Sequence, residues 1–266
     1  MQAIEEPAVD PVAPGATSRW SFSGVPWWLI GIIGTILVIA LQIATKEVWR
    51  DGFGFIIGGL TITLLVTLGG FVIAIVLGLA IGLARLSKNV VLRNLAMYYI
   101  ELVRGIPVLV TIIVISIVIF GQFFRSMGIP PPSPAIRATL ALGIIYAAFI
   151  AEVFRAGIES ISAGQREAGM SVGLSKRQIM RLVILPQAIK NIMPALGNDL
   201  IALLKDSSLV SIVAVRELTQ MAKLWTGSNF HFMEGYFVLA GIYLALTLSL
   251  SLLLRWYEKR IATPGD

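Results

Sequence analysis

Long runs of apolar residues without charge recur along the chain and dominate its pattern. An α-helix needs about 20 mostly apolar residues to cross a bilayer. Six stretches meet or approach this length, the fifth with a few charged residues inside it: residues 27–44, 53–84, 105–124, 138–151, 193–215 and 235–254. The pattern therefore predicts six membrane-spanning helices in an all-α integral membrane protein.

The composition supports this assignment and excludes several classes of protein. Of the 266 residues, 57% are hydrophobic and 14% are charged, and a soluble domain of this size could not bury so much apolar surface in one core. An ordinary cytosolic enzyme, a nucleic-acid binder and a disordered scaffold are therefore excluded. The chain has no Cys and one His, so we expect no disulfide, no thiol catalysis and no metal site.

The distribution of Lys and Arg predicts the orientation in the membrane. With the N-terminus inside, the inner segments carry 14 of these residues and the outer segments carry six. Because cytoplasmic loops are enriched in Lys and Arg, both termini are expected in the cytoplasm. Residues 1–26 contain several Pro, Gly and acidic residues and are expected to be a disordered tail. Residues 257–266 are expected to be a second cytoplasmic tail.

Residues 156–190 form one long connection on the inner side, and its pattern predicts a hairpin of two short helices. Gly173 lies where the first helix would need a residue that tolerates positive φ. Ser175 and Gln178 have the spacing of a capping box for the second helix, and Pro186 is expected to end or kink that helix. Such a hairpin fits either a docking device for a cytoplasmic protein or a surface loop with interfacial helices.

Charged residues near the inner ends of two spans suggest ion pairs and a gate. Glu152 and Arg155 are three residues apart on one helix and could pair. Glu101 and Arg104 have the same spacing. Just after them, Pro107 lacks a backbone donor and should bend its helix at the inner mouth. This bend either contributes to a gate or is a structural kink beside an interfacial anchor.

The fifth span contains the most polar string within the membrane, Lys205-Asp206-Ser207-Ser208, about ten residues from the predicted start at Pro194. Ionisable groups at this depth are costly and are functional hypotheses by default. Adjacent helical residues do not face each other, so Lys205 and Asp206 need different partners or a broken helix. The segment either lines a translocation path or forms an internal polar network, and Asn198 and Asp199 share these alternatives.

Two glycine pairs in the second span have a small-x-x-x-small spacing, Gly54 with Gly58 and Gly78 with Gly82. This spacing lets two helices approach closely. In a chain with 25 Gly it also arises by chance, so the pattern leaves open whether either pair forms a dimer contact.

The inner hairpin resembles the EAA loop of ATP-binding-cassette (ABC) importer permeases. That pattern is Glu-Ala-Ala, three residues, Gly, nine residues and Ile-x-Leu-Pro. Here it reads Glu167-Ala168-Gly169, then Gly173, then Val183-Ile184-Leu185-Pro186, with small or isosteric changes at residues 169 and 183. Further strings resemble the polar amino-acid branch of this superfamily, at residues 59–64, 101–107, 151–158, 164–168, 185–188 and 204–209.

The resemblance implies a five-helix type I importer core over about residues 54–256. The helix at residues 27–44 is an addition without an assigned transport role. The expected partners are a cytoplasmic ABC ATPase dimer, a second permease subunit (identical or paralogous), an extracytoplasmic substrate-binding protein and membrane lipid. ATP and Mg²⁺ would bind the ATPase, since this non-catalytic chain has no Gly-x-x-x-x-Gly-Lys-Ser/Thr phosphate loop. The expected location is the bacterial inner membrane.

The resemblance also implies the import of polar amino acids by alternating access and a coupling role for the hairpin, whereas the path and the gate are hypotheses from the charges and the proline described above. The residues that would couple the hairpin to the ATPase are Gln165, Glu167, Ala168, Gly169, Gly173, Leu185 and Pro186. The candidate translocation path contains Glu152, Asn198, Asp199, Lys205, Asp206, Ser207 and Ser208. The candidate gate contains Glu101, Arg104 and Pro107.

Two other classes of membrane protein are compatible with part of this pattern. An ion-coupled secondary transporter of a small polar solute could use the same buried charges. That class often contains inverted repeats with paired broken helices, whereas this chain has one interrupted span and no repeat. A membrane scaffold that only recruits a cytoplasmic protein would not need Lys205 and Asp206 inside a span.

Overall fold

The computed structural model describes residues 27–261, and every regular element within them is helical. The expected tail at residues 1–26 and residues 262–266 lie outside the described part. The α-helices are α1 (Trp27–Thr45), α2 (Glu47–Ile56), α3 (Leu60–Arg85), α4 (Val90–Gly105), α5 (Val108–Ile113), α6 (Phe123–Ser126), α7 (Pro134–Glu159), α8 (Ala163–Ser171), α9 (Lys176–Gln178), α10 (Leu185–Asp206), α11 (Leu218–Asn229) and α12 (Phe232–Ile261). Segments of 3₁₀ helix cover Ile57–Gly59 and Ser207–Val213, and π-helical segments cover Val114–Gln122 and Ile179–Ile184.

Six helical stretches of the described part are long and apolar enough to cross a membrane, which confirms the predicted number of spans. They are Trp27–Thr45, Glu47–Arg85, Val108–Ser126, Pro134–Glu159, Lys176–Val213 and Phe232–Glu258. Between the second and third of them, α4 is amphipathic and buries Ala96, Ile100 and Val103. The predicted all-α membrane class is therefore confirmed.

The contact between α3 and α7 is the most extensive one in the bundle. Leu142 and Ile150 of α7 are fully buried there. Glycines bring the two backbones together, because a Cβ at Gly78 would lie 2.8 Å from Cγ2 of Ile150. A Cβ at Gly143 would lie 2.6 Å from Cγ2 of Ile73. Neither position accepts a side chain unless its neighbour moves.

The second glycine pair, Gly78 with Gly82, therefore packs α3 against α7 within the chain. A Cβ at Gly82 would lie 2.9 Å from the carbonyl oxygen of Ala151 on α7, one helical turn beyond the Gly78 contact. The first pair has different surroundings. A Cβ at Gly54 would meet no atom within 4 Å, and one at Gly58 would lie 3.7 Å from the end of a methionine side chain.

The fifth span begins earlier than the sequence indicated, and Pro186 does not end the second hairpin helix, whereas a kink there stays a prediction. The chain stays helical from Lys176 to Val213, and Pro194 lies inside α10 rather than at its start. A π-helical segment directly precedes Pro186, and such wide turns accommodate breaks in the usual hydrogen-bond ladder. The side chain of Gln187 donates to the carbonyl oxygen of Val183 at 2.8 Å, which satisfies one acceptor of this segment.

The first helix, α1, packs along the edge of the bundle against α2 and α12. Within α1, Ile39 alone is buried. Ile39 faces Gly241 of α12, where a Cβ would lie 3.0 Å from Cγ2 of Ile39. Near the start of α1, the guanidinium carbon of Arg255 lies 5.1 Å from the centroid of the Trp28 ring, a cation–π contact. Most of the apolar surface of α1 faces outward.

Replacing Gly78 with Leu is expected to destabilise the protein, because the new side chain would collide with Ile150 at the centre of the fold. Overpacking of this kind costs roughly 1–3 kcal/mol. The measurement is the thermal unfolding midpoint of the purified protein in detergent. Gly54→Leu is the matched control, since Gly54 faces open space. An equal change in both variants would contradict the packing role of Gly78.

Candidate functional site

The predicted hairpin is present, and two hydrogen bonds fix the end of its first helix, α8. Gly173 has a φ of 81°. Its N–H donates to the carbonyl oxygen of Met170, and the N–H of Leu174 donates to that of Gly169, each at 3.0 Å. This is the Schellman arrangement of helix ends, which favours Gly at the residue with positive φ. The end of the bundle that carries this hairpin is called the hairpin end below.

The second hairpin helix, α9, starts with the predicted capping box. The N–H of Ser175 donates to Oε1 of Gln178 at 2.9 Å, and the N–H of Gln178 donates to Oγ of Ser175 at 3.4 Å. From there the chain continues without a break into α10. The base of the hairpin is therefore also the start of the fifth span.

Most residues of the proposed coupling set lie exposed on the hairpin. The exposed members are Gln165, Glu167, Ala168, Gly173, Leu185 and Pro186. Gly169 differs, because it is buried and a Cβ there would lie 2.8 Å from Cγ1 of Ile179. Its small size thus lets α8 pack on the following helix. The side chain of Val172 is 75% exposed at the tip, so the hairpin presents both polar and apolar surface.

Four charged side chains of α3 and α7 form a cluster at the hairpin end. Arg155 donates to Oε2 of Glu152 from Nε at 3.0 Å and from Nη2 at 2.9 Å, which confirms the expected pair. Arg155 also pairs with Glu159, and Arg85 pairs with Glu152 from the other helix. Sequence spacing could not reveal Arg85, because its partner lies on a different span.

An open cavity of about 560 Å³ lies beside this cluster, and its mostly apolar wall includes the polar side chains of Arg104, Glu152 and Asn191. The guanidinium carbon of Arg104 lies 5.6 Å from the centroid of the Phe149 ring. Glu101 is exposed. Within the described residues no ion pair joins Glu101 to Arg104, so their i, i+3 spacing does not produce the same pairing as in α7.

The chain breaks at Pro107 as the sequence predicted. Helix α4 ends at Gly105, Ile106 is extended with φ −106° and ψ 137°, and α5 begins at Val108. The ring of a proline disfavours helical geometry at the residue before it, which explains the extended conformation of Ile106. This break lies a few residues after Arg104, which lines the cavity. The candidate gate residue Pro107 is therefore close in the sequence to a wall of the cavity.

The polar string of the fifth span lies where α10 tightens into a 3₁₀ helix. Helix α10 ends at Asp206, and Ser207–Val213 continue with the narrower turn. The hydroxyl of Tyr146 on α7 donates to Oδ2 of Asp206 at 2.8 Å. Oγ of Ser207 donates to the carbonyl oxygen of Leu204 at 2.7 Å. The helix thus narrows at this point rather than breaking off.

The other candidate path residues have contrasting surroundings. Lys205 and Asn198 are exposed, and Ser208 is half-buried. Within the described residues, Oδ2 of Asp199 is buried and has no hydrogen-bond partner. A buried carboxylate oxygen without a partner is costly, so Asp199 can accept a hydrogen bond or a positive charge from a molecule that enters this part of the bundle.

One buried acidic residue escaped the sequence analysis, Glu217 at the start of α11. Its carboxylate accepts hydrogen bonds from the N–H groups of Thr219 and Gln220, each at 2.8 Å, and from the hydroxyl of Tyr243 at 3.0 Å. Burial raises the pKa of Glu217 above its ordinary value, although these hydrogen bonds act in the opposite direction. Glu217 joins α11 to α12, a contact between residues too distant in the sequence for a spacing rule to find.

Six spans, an open cavity beside a charged cluster and an ordered hairpin at the same end define a membrane transport subunit. Residues 74–263 match the family described as binding-protein-dependent transport system inner membrane component. The chain belongs to this family, which confirms the resemblance to ABC importer permeases. It is thus a multi-pass permease subunit, and the permease subunits of this family are non-catalytic.

Curated relatives are similar over most of this chain and nearly all of their own. A probable amino-acid permease protein, YxeN of Bacillus subtilis (strain 168), is 37% identical over 220 residues, 82% of this chain and 96% of the relative. The glutamine transport system permease protein GlnP of Escherichia coli (strain K12) is 34% identical over 221 residues, 83% of this chain and 99% of the relative.

Solved structures confirm the type I importer core. A crystal structure of an amino acid ABC transporter with histidines has a chain with a TM-score of 0.72 and 37% identity, covering 78% of this chain and 94% of that chain. A chain of the inward-facing MetNI methionine ABC transporter has a TM-score of 0.59 at 20% identity, covering 77% of this chain and 93% of that chain. The second likeness concerns the fold alone.

Replacing Glu152 with Gln is expected to destabilise the protein more than the same change at Glu159. Glu152 neutralises two arginines and its side chain is 19% exposed, whereas that of Glu159 is 49% exposed. A hydrogen bond to a charged group contributes about 1.5–3 kcal/mol. The measurement is the thermal unfolding midpoint of both variants in detergent. Equal unfolding midpoints for the two variants would contradict a larger contribution of Glu152 to stability.

Proposed function

We propose that this chain forms the membrane pathway of an ABC importer that moves polar amino acids by alternating access. The observation that carries the proposal is the hairpin, whose ends are fixed by local hydrogen bonds and whose outer surface has no cover within the described chain. The names of the relatives, a probable amino-acid permease and a glutamine permease, support amino acids as the substrate class.

The hairpin can transmit motion because its second helix belongs to the same rod as the polar string. The chain is helical from Lys176 to Asp206, which corresponds to roughly 45 Å at the rise of an α-helix. A displacement of the hairpin by a closing ATPase dimer would therefore move Asp206 and its contact with Tyr146. In this proposal the ATPase binds ATP and Mg²⁺, and this chain binds neither.

The candidate path offers opposite charges for the two ends of an amino acid. The exposed ammonium of Lys205 would attract the carboxylate of the substrate. Asp199, with its unpartnered oxygen, would accept its ammonium group. The hydroxyls of Ser207 and Ser208 and the amide of Asn198 add hydrogen-bonding groups of either kind. This arrangement supports a zwitterionic substrate without selecting one side chain.

The gate is proposed at the hairpin end, where α3, α4 and α7 meet. The ion pairs of Glu152 with Arg85 and Arg155 join two spans, and the break at Pro107 allows α4 and α5 to change their relative angle. Arg104 lines the cavity between them. Separation of these elements would open the pathway towards the compartment that contains the hairpin.

The proposed assembly follows the family. It contains an ABC ATPase dimer, a second permease subunit that is identical or paralogous, and an extracytoplasmic substrate-binding protein. The hairpin and both termini would then lie in the cytoplasm, in agreement with the excess of Lys and Arg on that side. Family membership favours this importer over the ion-coupled carrier, since the family depends on a binding protein.

Replacing Gly173 with Leu is expected to uncouple ATP hydrolysis from transport while the protein still inserts. A side chain at positive φ strains the turn, and it would change the surface that meets the ATPase. We expect the ratio of amino acid transported to ATP hydrolysed to fall roughly tenfold, equivalent to about 1.4 kcal/mol. Both rates are measured with the complete complex in proteoliposomes.

Gly128→Leu is the matched control for this experiment. Gly128 has a φ of 71° and, like Gly173, no neighbour within 4 Å of a Cβ. The backbone strain is therefore comparable, but the residue lies in the connection before α7, away from the hairpin. Unchanged coupling in the Gly173 variant, or an equal loss in the Gly128 variant, would contradict the docking role.

Replacing Lys205 with Met is expected to abolish most uptake, because the substrate carboxylate would lose its positive partner within the span. The measurement is initial uptake of labelled amino acids, with the amount of inserted protein checked in each case. Lys88→Met, at an exposed lysine between α3 and α4, is the control. Normal uptake by the Lys205 variant would remove this residue from the path.

A further inference from the structure

An apolar groove with one polar end separates α1 from the neighbouring ends of α2 and α12. Its volume is about 610 Å³, and its walls include Val38, Ile39 and Phe237. The polar end is formed by Gln42 and Lys46. Pockets that hold small molecules usually have volumes of roughly 300–1,000 Å³, so the groove is large enough for part of a ligand.

The groove lies beside Ile39, which is the one buried side chain of α1. Ile39 packs against Gly241, and on its other side a second apolar cavity of about 320 Å³ separates the same helices. Gly34 lines the larger groove, and a Cβ there would meet no atom within 4 Å. Both spaces open at the edge of the bundle, where the surrounding medium in a membrane is lipid.

The polar end of the groove carries an amide oxygen without a hydrogen-bond partner and a cation without a carboxylate partner, within the described chain. Oε1 of Gln42 is buried and has no hydrogen-bond partner within the described chain. Lys46 is exposed between α1 and α2, and no carboxylate of the described chain pairs with it. Trp49 lines the same end and is buried, in keeping with the enrichment of tryptophan at membrane–water interfaces. This end thus lies where a lipid headgroup would lie.

We propose that the groove binds one anionic glycerophospholipid, of the phosphatidylglycerol type. An acyl chain lies along Val38, Ile39 and Phe237. The phosphate lies at the ammonium of Lys46, next to Gln42 at the polar end. A lipid fits because both apolar walls and a cation at headgroup depth are present. The assignment gives α1 a role in holding lipid and does not depend on the transported substrate.

The test is native mass spectrometry of the full-length protein in detergent, titrated with 1-palmitoyl-2-oleoyl-phosphatidylglycerol. We expect one retained lipid in the wild type. Gly34→Phe places a ring at the groove from a position where a Cβ meets no atom within 4 Å, and it should weaken retention roughly tenfold, equivalent to about 1.4 kcal/mol. Gly31→Phe is the matched control, because Gly31 also has free space but lies outside the groove. Equal retention by the two variants would overturn the proposal.

The headgroup contact has its own variants and probe. Lys46→Gln should lower retention of phosphatidylglycerol several-fold but leave that of a diacylglycerol with the same chains unchanged. Arg125→Gln, at another exposed cation on the same side of the bundle, should change neither. If the wild type retains both lipids equally, the proposed phosphate contact is wrong.

A second copy of this chain is the competing occupant. The natural chain has no Cys, so Val38→Cys introduces a single thiol at the groove. No disulfide-linked pair should form in lipid vesicles under mild oxidation if a lipid fills the groove. Efficient cross-linking would show that another chain covers it and would overturn the lipid assignment.

Discussion

Inside a bilayer no water is available for the backbone, so every peptide N–H and C=O group must find a partner within the protein. This constraint explains why the described chain is helical throughout and why its irregular points are so specific. Near Pro186 the helix widens into π-helical turns instead of ending, and a glutamine side chain donates a hydrogen bond to a backbone carbonyl oxygen there. At Asp206 the helix narrows instead of stopping. At Pro107, by contrast, the helix is interrupted between α4 and α5.

Close backbone contacts hold α7 within the bundle on two sides. Helices α3 and α7 pack backbone against backbone at Gly78, Gly82 and Gly143, which leaves little freedom for sliding. Helix α10 also packs closely on α7, because a Cβ at Gly157 would collide with Ile192, and the hydrogen bond from Tyr146 to Asp206 joins the same two helices nearer the end of α10. Displacement of α10 therefore requires this contact to repack or α7 to move with it.

The sequence predicted several features correctly because their causes lie within a few residues. The capping box at Ser175, the positive φ at Gly173 and the break at Pro107 depend on local backbone chemistry. The pair of Glu152 and Arg155 depends only on the helical repeat. The same repeat predicted a pair at Glu101 and Arg104 that does not form. The helix does not end at Pro186 for a different reason, since a proline inside a membrane helix is tolerated when wide turns re-satisfy the backbone.

The amino-acid sequence by itself determined the number of spans, the membrane class, the hairpin and the importer resemblance, since hydrophobic periodicity and cap chemistry act over short distances. The tertiary structure alone decided that Arg85 joins Glu152, that Glu217 is buried against α12, that Asp199 has no partner and that grooves remain beside Ile39. These facts depend on which helix faces lie together. That choice is made by the packing of the whole bundle, and no local pattern in the chain encodes it.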